Sequence, residues 1–565
     1  MQFQAGGKEA CGMRWGLVLG WGLLTVVALW PGLADAPLTG TEGHRAMTGS
    51  QMLERGEYVV PTLFGQTYLR KPPGQYWLIA GAEGVVGQPT EWVWRLPGVL
   101  SIAGLVALLA WWGGRWFGTM GALAAGAAAV SLFSWWTMAR SADIDAANTL
   151  AVGLCVVGLM EAGVSGKRWP WGAMALVVIG GTAMWLLKGP AGLPAVLGAW
   201  VGVAIASAWG SGQTVKRSLL VMVRPKLWLS IVLGLAGFGV WATLVWMRMN
   251  AGGDGAVDTT GMKEVSGYMG GSGLARYGRA VGAALLSPTY ALPACLLAIP
   301  VILGLRRGAW DERERRLLIG LMAAFVVGAL VSLVVGLRQP RYYYTLLVMV
   351  PMFAAAVAGR WDTMVGGEKG REAVRAGMSI FAIVLAVGSV VLAKTSTEAH
   401  EMSWPWITAG LAITANAWAL VKLIRHRAGW GLVGLSFALL ATMSTFGGRW
   451  LSDKHDKGVL TASAQLRETV ADAPAVYATK TVFDHPEMYH HSGVRPTQLP
   501  ADWYTPSNSL QPGAWCVLQD FEWELIRDRE DIDRWQPQEI VLDGDTMCLV
   551  RVAEPKAAAI GRAPS

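Results

Sequence analysis

Short polar segments between long apolar runs repeatedly contain carboxylates and basic side chains. A carboxylate serves as a general base or a metal ligand, and arginine and lysine bind phosphate. Charges beside runs of bilayer-spanning length are costly to keep, so their recurrence indicates a functional site. The acidic candidates are Glu42, Asp143 and Asp145. The basic candidates are Arg45, Arg70, Lys71, Lys188 and Arg341.

The elements that must position these residues are transmembrane helices. Of the 565 residues, 53% are hydrophobic and 15% charged, whereas an average soluble domain has about 25% charged residues. This composition excludes a soluble, a disordered and a disulfide-rich secreted protein. About thirteen apolar runs approach the length that spans a bilayer, where backbone groups must pair internally, so we predict helices. The runs centre on 15–33, 96–113, 119–138, 146–164, 170–187, 191–209, 227–248, 290–305, 316–337, 342–359, 378–393, 404–423 and 430–448.

The distribution of lysine and arginine predicts the orientation of these helices. Basic residues occupy alternate connections, from Lys8 and Arg14 before the first run to Lys422, Arg425 and Arg427 before the last. The positive-inside rule makes these connections cytoplasmic, so we expect a multi-pass protein of the inner (plasma) membrane with a cytoplasmic N-terminus. An odd number of spans then places the C-terminal segment in the periplasm. The net charge of +8 forms no basic stripe, which argues against a nucleic-acid partner.

Two units are predicted: a membrane domain, 1–448, and a soluble C-terminal domain, 449–565, called the tail below. The membrane domain has two long external loops, 34–95 and 249–289. The second is rich in glycine, and we expect it either to cover the site or to act as a solvated linker. Apparent strands in the tail alternate with helical stretches. The predicted fold is therefore an all-α polytopic membrane protein with a small α/β extracytoplasmic domain.

The tail also contains cysteines and histidines whose chemistry the sequence leaves open. Cys516 and Cys548 are candidates for a disulfide if the tail is periplasmic, but spacing alone does not establish the bond. His485, His490 and His491 have no further ligand group at a fixed spacing, so we do not predict a metal site there.

The first external loop carries a pattern that resembles a known family. Its three stretches are TEGHRA (41–46), QMLERGEYVVP (51–61) and YLRKPPGQYW (68–77). Together they resemble the first external loop of the GT-C glycosyltransferases, nearest to the aminoarabinose lipid A transferases and their bacterial protein O-mannosyltransferase-like relatives. The segments 140–145, 188–190 and 340–342 fall where that family has its second acid, a loop lysine and an arginine-tyrosine turn.

The resemblance implies a transferase that uses a polyprenyl-phosphate-linked sugar, with a lipid A-like, glycan or protein acceptor. In that family an Asp-Glu pair opens the first loop and the Asp lies at the reaction centre. Here Thr41 stands at the Asp position, and Glu42 is the only carboxylate of the pair. His44 stands at a family arginine position, and Arg70 where an acid commonly precedes the loop lysine. These differences leave open the catalytic base and a divalent metal ion, for which Glu42 and Asp145 are the candidate ligands.

We predict direct displacement at the anomeric carbon of the donor. Glu42 is the expected general base, with Asp145 as a helper or metal ligand and Asp143 behind it. The departing prenol phosphate develops negative charge, which preorganised cations stabilise. The predicted phosphate-binding residues are Lys71, Lys188, Arg341, Arg45 and Arg70. The residues predicted to orient the substrate are His44, Tyr68 and Tyr342.

Two other functions compete with this prediction. A lipid or lipid-linked-sugar flippase would place ionisable residues at mid-membrane and show repeat symmetry, whereas these charges concentrate at one surface. A non-catalytic protein that binds a lipid-linked sugar is compatible with Thr41 at the family's Asp position. Sugar transfer by the purified protein distinguishes the enzyme from the binder.

Overall fold

The computed structural model is mainly helical over the residues that it describes. These are 9–34, 36–164, 170–210, 224–251, 274–286, 294–361, 368–400, 404–425, 427–447, 458–479, 484–499, 510–527, 538–542 and 544–553. The predicted boundary between the two units, at 448/449, lies outside the described residues. So do 252–273 and 287–289 of the second external loop, on which the expectation of a covering segment depends.

The membrane domain is built from helices joined by short connections. In chain order they are α1 (Glu9–Leu29), α2 (Thr41–Arg55), α3 (Gly74–Val86), α4 (Glu91–Val130), α5 (Phe133–Ala139), α6 (Asp145–Val164), α7 (Trp171–Lys188), α8 (Leu193–Gly210), α9 (Pro225–Ala251), α10 (Leu274–Leu286), α11 (Ala298–Arg307), α12 (Glu312–Val335), α13 (Val350–Gly359), α14 (Glu368–His400), α15 (Trp404–Ile424) and α16 (Ala428–Gly447). The 3-10 segments Gly189–Gly192, Ala294–Leu297 and Pro340–Met349 lead into α8, α11 and α13. A hairpin of β1 (Thr62–Leu63) and β2 (Gln66–Thr67) lies between α2 and α3.

Eight segments of the described chain are long and apolar enough to cross a membrane, which places the protein in one. Two of these segments are divided. In α4, Phe117 and Gly118 leave the helical conformation, and Gly118 has a φ of 71° that glycine tolerates without strain. The segment Trp171–Ala208 contains the 3-10 turn Gly189–Gly192. Each of the two therefore covers two predicted runs. All thirteen runs contain helical residues, and the number of spans stays a prediction.

Small residues allow the membrane helices to approach closely. A Cβ on Gly198 or Gly202 of α8 would lie 2.3 Å from the carbonyl oxygen of Ala324 or Gly320 of α12. Because lipid is as apolar as a leucine side chain, contact of this kind between backbones, rather than burial from water, holds such helices together.

The helical bundle has two polar ends. Helix α6 begins at Asp145 and reaches Glu161 sixteen residues later, a rise of about 24 Å. At the far end Glu161 pairs with Arg115 of α4, whose Nε is 3.0 Å from Oε2. Arg360, just after α13, pairs there with Glu314. The end that contains Asp145 is called the site end below.

The tail contains a five-stranded sheet, which confirms the predicted α/β character. Its strands are β3 (Val476–Ala478), β4 (Thr497–Gln498), β5 (Trp515–Gln519), β6 (Gln538–Leu542) and β7 (Asp545–Arg551). Their order is β4-β3-β5-β7-β6, parallel from β4 to β5 and antiparallel beyond. The helices are α17 (Val459–Thr469), α18 (Pro486–Ser492) and α19 (Asp520–Ile526). Cys516 and Cys548 are buried in adjacent strands and are both free, so they form no disulfide here.

Helix α18 docks the tail on the site end of the membrane domain. The backbone N–H of Leu38 donates to Nε2 of His491 at 3.2 Å, and the rings of Trp94 and His490 meet edge to face at 4.9 Å. A Cβ on Gly43 of α2 would lie 2.7 Å from Oε2 of Glu487. Only glycine at position 43 permits this close approach of α18.

Candidate functional site

Asp143 is the carboxylate on which three side chains from two separate elements converge. It lies in the turn between α5 and α6. The hydroxyl of Thr41, the first residue of α2, donates to Oδ2 of Asp143 at 2.7 Å. Nε of Arg45, one turn later in α2, lies 3.6 Å from Oδ1. Nη1 of Arg341 lies 3.7 Å from Oδ2. Three of the predicted site residues therefore meet at this turn.

Asp145 and Lys188 form a second ion pair beside the first. Asp145 begins α6 and Lys188 ends α7, so the packing of these two helices brings the side chains together. The ammonium of Lys188 donates to Oδ1 of Asp145, and both side chains are largely buried. Nζ of Lys188 also lies 5.0 Å from the centre of the Tyr342 ring, within the range of a cation–π contact.

Arg341 and Tyr342 reach the site from an unusual backbone segment. They follow Pro340 at the start of a ten-residue 3-10 segment, Pro340–Met349. Runs of 3-10 helix beyond three or four residues are uncommon, and inside helices they often mark functional positions. Cζ of Arg341 lies 5.8 Å from the centre of the Tyr342 ring. The segment thus presents a guanidinium and a phenol beside the ion pair of Lys188 and Asp145.

The electrostatics keep Asp143 ionised. Burial acts to raise its pKa, but the charges of Arg45 and Lys188 and the hydrogen bond from Thr41 outweigh burial and lower the pKa below its ordinary range. Burial raises the pKa of Tyr76, which the nearby charge of Arg45 only partly offsets. Nη1 of Arg45 donates to the Tyr76 hydroxyl at 3.1 Å. The site therefore holds a partly exposed carboxylate anion among cations, with a neutral phenol behind Arg45.

Glu42 lies behind the site in a buried ion pair. Nε and Nη2 of Arg95 donate to its two oxygens at 3.0 and 3.1 Å. The backbone N–H of Ala142 donates to Oε1 at 2.8 Å, and that of Thr39 to Oε2 at 3.4 Å. Each oxygen of the predicted base accepts two hydrogen bonds from the protein, so a reacting hydroxyl has no free lone pair to use. Each oxygen of Asp143, in contrast, accepts one, from Thr41 and from the backbone N–H of Ile144. Glu42 instead fastens the turn that carries Asp143.

The remaining predicted residues line the same side of the first loop. The rings of His44 and Tyr68 stack at 5.9 Å, and the guanidinium of Arg70 lies 5.5 Å from the centre of the Tyr68 ring. Lys71 is half-buried three residues before α3 begins. A Cβ on Gly74, the first residue of α3, would lie 2.7 Å from the carbonyl oxygen of Leu186. Leu186 is two residues before Lys188, so α3 begins beside the end of α7.

Arg95, Gln75 and Tyr76 belong to the site but are absent from the predicted set. Arg95 also donates to the backbone oxygens of Leu33, Ala36 and Pro37, so it holds the start of the first loop. Nε2 of Gln75 donates to the carbonyl oxygen of Ala142 at 2.9 Å. Arg95 stands directly before an apolar run, and an ionisable residue in that position was a signal available from the sequence. Gln75 and Tyr76 carry no such signal.

The carboxylates of Glu42 and Asp145 do not form a common metal-ligand set. Arg95 occupies the first and Lys188 the second. Within the described residues, the donor atoms of Glu91, His490 and His491 lie within 4.8 Å of one another. Nε2 of His491 accepts the N–H of Leu38, so a neutral ring carries its proton on Nδ1, which faces Glu91 at 3.8 Å. This arrangement at His491 suits a histidine–carboxylate contact.

Comparison with solved structures identifies the fold. The crystal structure of ArnT from Cupriavidus metallidurans bound to undecaprenyl phosphate matches with a TM-score of 0.66 and 16% sequence identity, over 96% of this chain and 99% of that chain. The apo state of the same protein matches with a TM-score of 0.63 and 15% identity over the same shares. No family model and no curated protein matches the sequence. The chain has an ArnT-like fold over nearly its whole length, which confirms the expected all-helical membrane domain with a small α/β tail.

Proposed function

We propose that this protein is a membrane glycosyltransferase that transfers a sugar from a polyprenyl-phosphate donor to an acceptor hydroxyl at the external membrane surface. The observation that carries the proposal is the cluster at Asp143. There a partly exposed carboxylate anion lies among Arg45, Lys188 and Arg341, at one end of a bundle with an ArnT-like fold. This arrangement supplies both a proton acceptor and cations for a phosphate.

Asp143 is the general base in this proposal, in place of Glu42. A hydroxyl is a weak nucleophile until its proton is accepted in the transition state. The acceptor oxygen bonds to the anomeric carbon as its proton passes to Asp143. The bond from that carbon to the phosphate oxygen breaks on the opposite side, so the anomeric configuration inverts. Thr41, which donates to Oδ2, orients the carboxylate.

Lys188 and Arg341 stabilise the leaving polyprenyl phosphate, with Lys71 and Arg70 in support. The departing oxygen takes the electron pair of the broken bond, and fixed cations lower the energy of that charge without reorganising. In the absence of substrate these cations pair with Asp145 and Asp143. A phosphate therefore replaces carboxylate partners that are already in place, which limits the cost of bringing it into the site.

An apolar crevice beside Lys188 suits the prenyl chain. It measures about 170 Å³ and lies among α7, α8 and α9. Met184 and Trp185 line it one turn before Lys188, and Leu193 and Trp228 line it from the neighbouring helices. A phosphate bound by Lys188 would direct its prenyl tail into this crevice, where apolar side chains replace lipid.

The orientation of the chain follows from the two polar ends of the bundle. We propose that the site end and the tail face the periplasm and that the end with Arg115 and Arg360 faces the cytoplasm, since basic residues are enriched in cytoplasmic connections. Single cysteines placed at Glu54 and at Arg313 test this in intact cells. A membrane-impermeant maleimide should label position 54 alone, and labelling of position 313 alone would contradict the orientation.

The central test is sugar transfer by the purified protein in lipid nanodiscs. We expect release of polyprenyl phosphate from a polyprenyl-phosphate-linked aminoarabinose or hexose when an acceptor glycolipid is present. Lys188→Ala should lower the rate, because the leaving phosphate loses a cation, and Lys226→Ala, a lysine at the start of α9, serves as the matched control. A Lys188→Ala variant with wild-type turnover would remove that residue from the site.

A further inference from the structure

A second polar cavity lies between the membrane domain and the tail. It measures about 420 Å³, a size typical of ligand sites. Its walls come from α2, the β1–β2 hairpin and the segment 489–496 of the tail. The residues that line it include Ser50, Gln51, Arg55, Phe64, Tyr489 and Arg495.

Helix α2 separates this cavity from the proposed reaction site. Successive helical residues are about 100° apart, so Thr41 and Arg45 lie on one face while Ser50 and Gln51 lie on others. From Arg45 to Gln51 the helix rises by about 9 Å. Because the cavity and Asp143 also lie on different faces of α2, and a helix with its side chains is about 10 Å across, only an acceptor glycan of several sugar units is long enough to pass around α2 and reach both.

One wall of the cavity is aromatic and strained. The rings of Phe64 and Tyr489 meet edge to face at 5.8 Å. Phe64 has a φ of 48°, and no other non-glycine residue in the described part of the chain has a positive φ. It occupies the two-residue turn of the hairpin with Gly65, a position that suits asparagine or glycine. Strain of this kind concentrates at binding sites, and an aromatic surface is suited to contact with a sugar ring.

The other walls are polar, with an excess of positive charge. Gln51 is 8% exposed, and its Oε1 has no hydrogen-bond partner among the described residues, so a ligand hydroxyl would satisfy it. Arg495 stands at the rim, 85% exposed and 3.5 Å from Glu54. Arg55 lies at the same rim. Two guanidinium groups with one carboxylate favour an anionic ligand.

We propose that this cavity binds an anionic sugar residue of the acceptor, several sugar units away from the hydroxyl that reacts at Asp143. The aromatic wall contacts the sugar ring, Gln51 accepts from a ring hydroxyl, and Arg495 and Arg55 bind the carboxylate or phosphate. The identity of the ligand as acceptor rests on the proposed function. Its binding does not, because the cavity shares no residue with the proposed reaction site.

Calorimetry on the full-length protein in detergent tests the proposal with digalacturonate as the anionic probe and galactobiose as its neutral counterpart. Digalacturonate should bind to wild type, and galactobiose about tenfold more weakly. Gln51→Leu and Arg495→Ala should each weaken digalacturonate binding about tenfold. Arg527→Ala, which removes an exposed positive charge elsewhere in the tail, should bind as wild type, and so should Asp143→Asn.

The outcomes separate this proposal from the proposed function. Failure of digalacturonate to bind wild type, equal binding of the two probes, or binding that Arg495→Ala leaves unchanged overturns the acceptor cavity, whatever the transfer assay shows. Arg495 is exposed, so its replacement leaves folding intact and the test remains decisive if Gln51→Leu unfolds. Suppose that both variants lose digalacturonate binding and that the wild-type protein transfers no sugar. This result supports the cavity and counts against the proposed enzymatic function.

Discussion

At the scale of single residues, two neighbours in the sequence have opposite environments. Thr41 and Glu42 are about 100° apart on α2. Thr41 therefore faces Asp143, and Glu42 faces Arg95. Where the family that the sequence resembles has an Asp, the hydroxyl of Thr41 donates to Asp143 in the turn between α5 and α6. In our proposal the charge of the missing Asp is supplied by Asp143, which Thr41 holds in place.

Asp143→Asn should lower the turnover number by about 100- to 10,000-fold, the range that general base catalysis contributes. The amide keeps the shape of the side chain but accepts no proton. Initial rates of polyprenyl phosphate release measure the effect. Glu524→Gln, at an exposed position in the tail, should retain wild-type rates. A rate within threefold of wild type for Asp143→Asn would exclude Asp143 as the base.

Arg45→Gln should shift the acid limb of the pH–rate profile upward. The pKa of Asp143 is lowered in part by the charge of Arg45, so in wild type the base stays ionised until the pH falls well below the ordinary aspartate range. Removing that charge raises the pKa, and protonation then removes the base at a higher pH. In the profile of kcat/KM between pH 4 and 8, wild type should show no acid limb from Asp143, whereas Arg45→Gln should lose activity towards pH 4. Superimposable profiles for the two proteins would contradict this.

At the scale of elements, the turn between α5 and α6 has no regular structure of its own and depends on its neighbours. Glu42 accepts the N–H of Ala142, and Gln75 donates to the carbonyl oxygen of the same residue. Nη1 of Arg140 donates to the carbonyl oxygen of Leu29 at 2.9 Å, which ties the turn to the end of α1. Three elements, α1, α2 and α3, thus position one short turn, as a preorganised site requires.

Glu42→Gln should destabilise the folded protein by about 3–5 kcal/mol, because Arg95 is left as an unpaired buried charge. Thermal unfolding in detergent measures this loss. Glu57→Gln, which removes the half-buried partner of the exposed Arg248, is the matched control and should cost no more than about 1 kcal/mol.

The same variant separates positioning from catalysis. If Glu42 only positions the turn, the turnover number falls while the acid limb of the pH–rate profile keeps its place. A shift of that limb in Glu42→Gln would restore Glu42 as the base.

At the scale of the whole molecule, the tail is docked where the proposed chemistry occurs. The hairpin residue Phe64 packs against Tyr489, and His490 and His491 both approach Glu91 at the start of α4. The docked helix α18 begins directly after His485. The ring of His485 contacts the carboxylates of Glu487 at 3.6 Å and Asp545 at 3.1 Å. Stability of the tail is therefore coupled to the protonation of His485.

The tail should be more stable at pH 6 than at pH 8.5. Burial acts to lower the pKa of His485, but Glu487 and Asp545 outweigh it and raise the pKa above the ordinary value. The stabilisation is complete below the unfolded-state pKa of about 6.5 and is lost as the pH rises through the folded-state value. The difference in unfolding temperature between wild type and His485→Gln isolates this contribution. A difference that is constant or increases with pH would contradict it.

The sequence by itself determined the membrane class, the helical runs, the α/β character of the tail and the segments that carry the site. Each depends on a local pattern: the length of the apolar runs, the alternation of apparent strands with helical stretches, or charges beside apolar runs. Only the tertiary structure decided which cation each acid faces. Glu42 and Asp143 look alike as sequence candidates, but Arg95 comes from α4 and Arg45 from α2, and no local pattern reports that pairing. The role of a buried carboxylate is set by partners distant in the chain, because the low dielectric around it makes those partners dominate its energy.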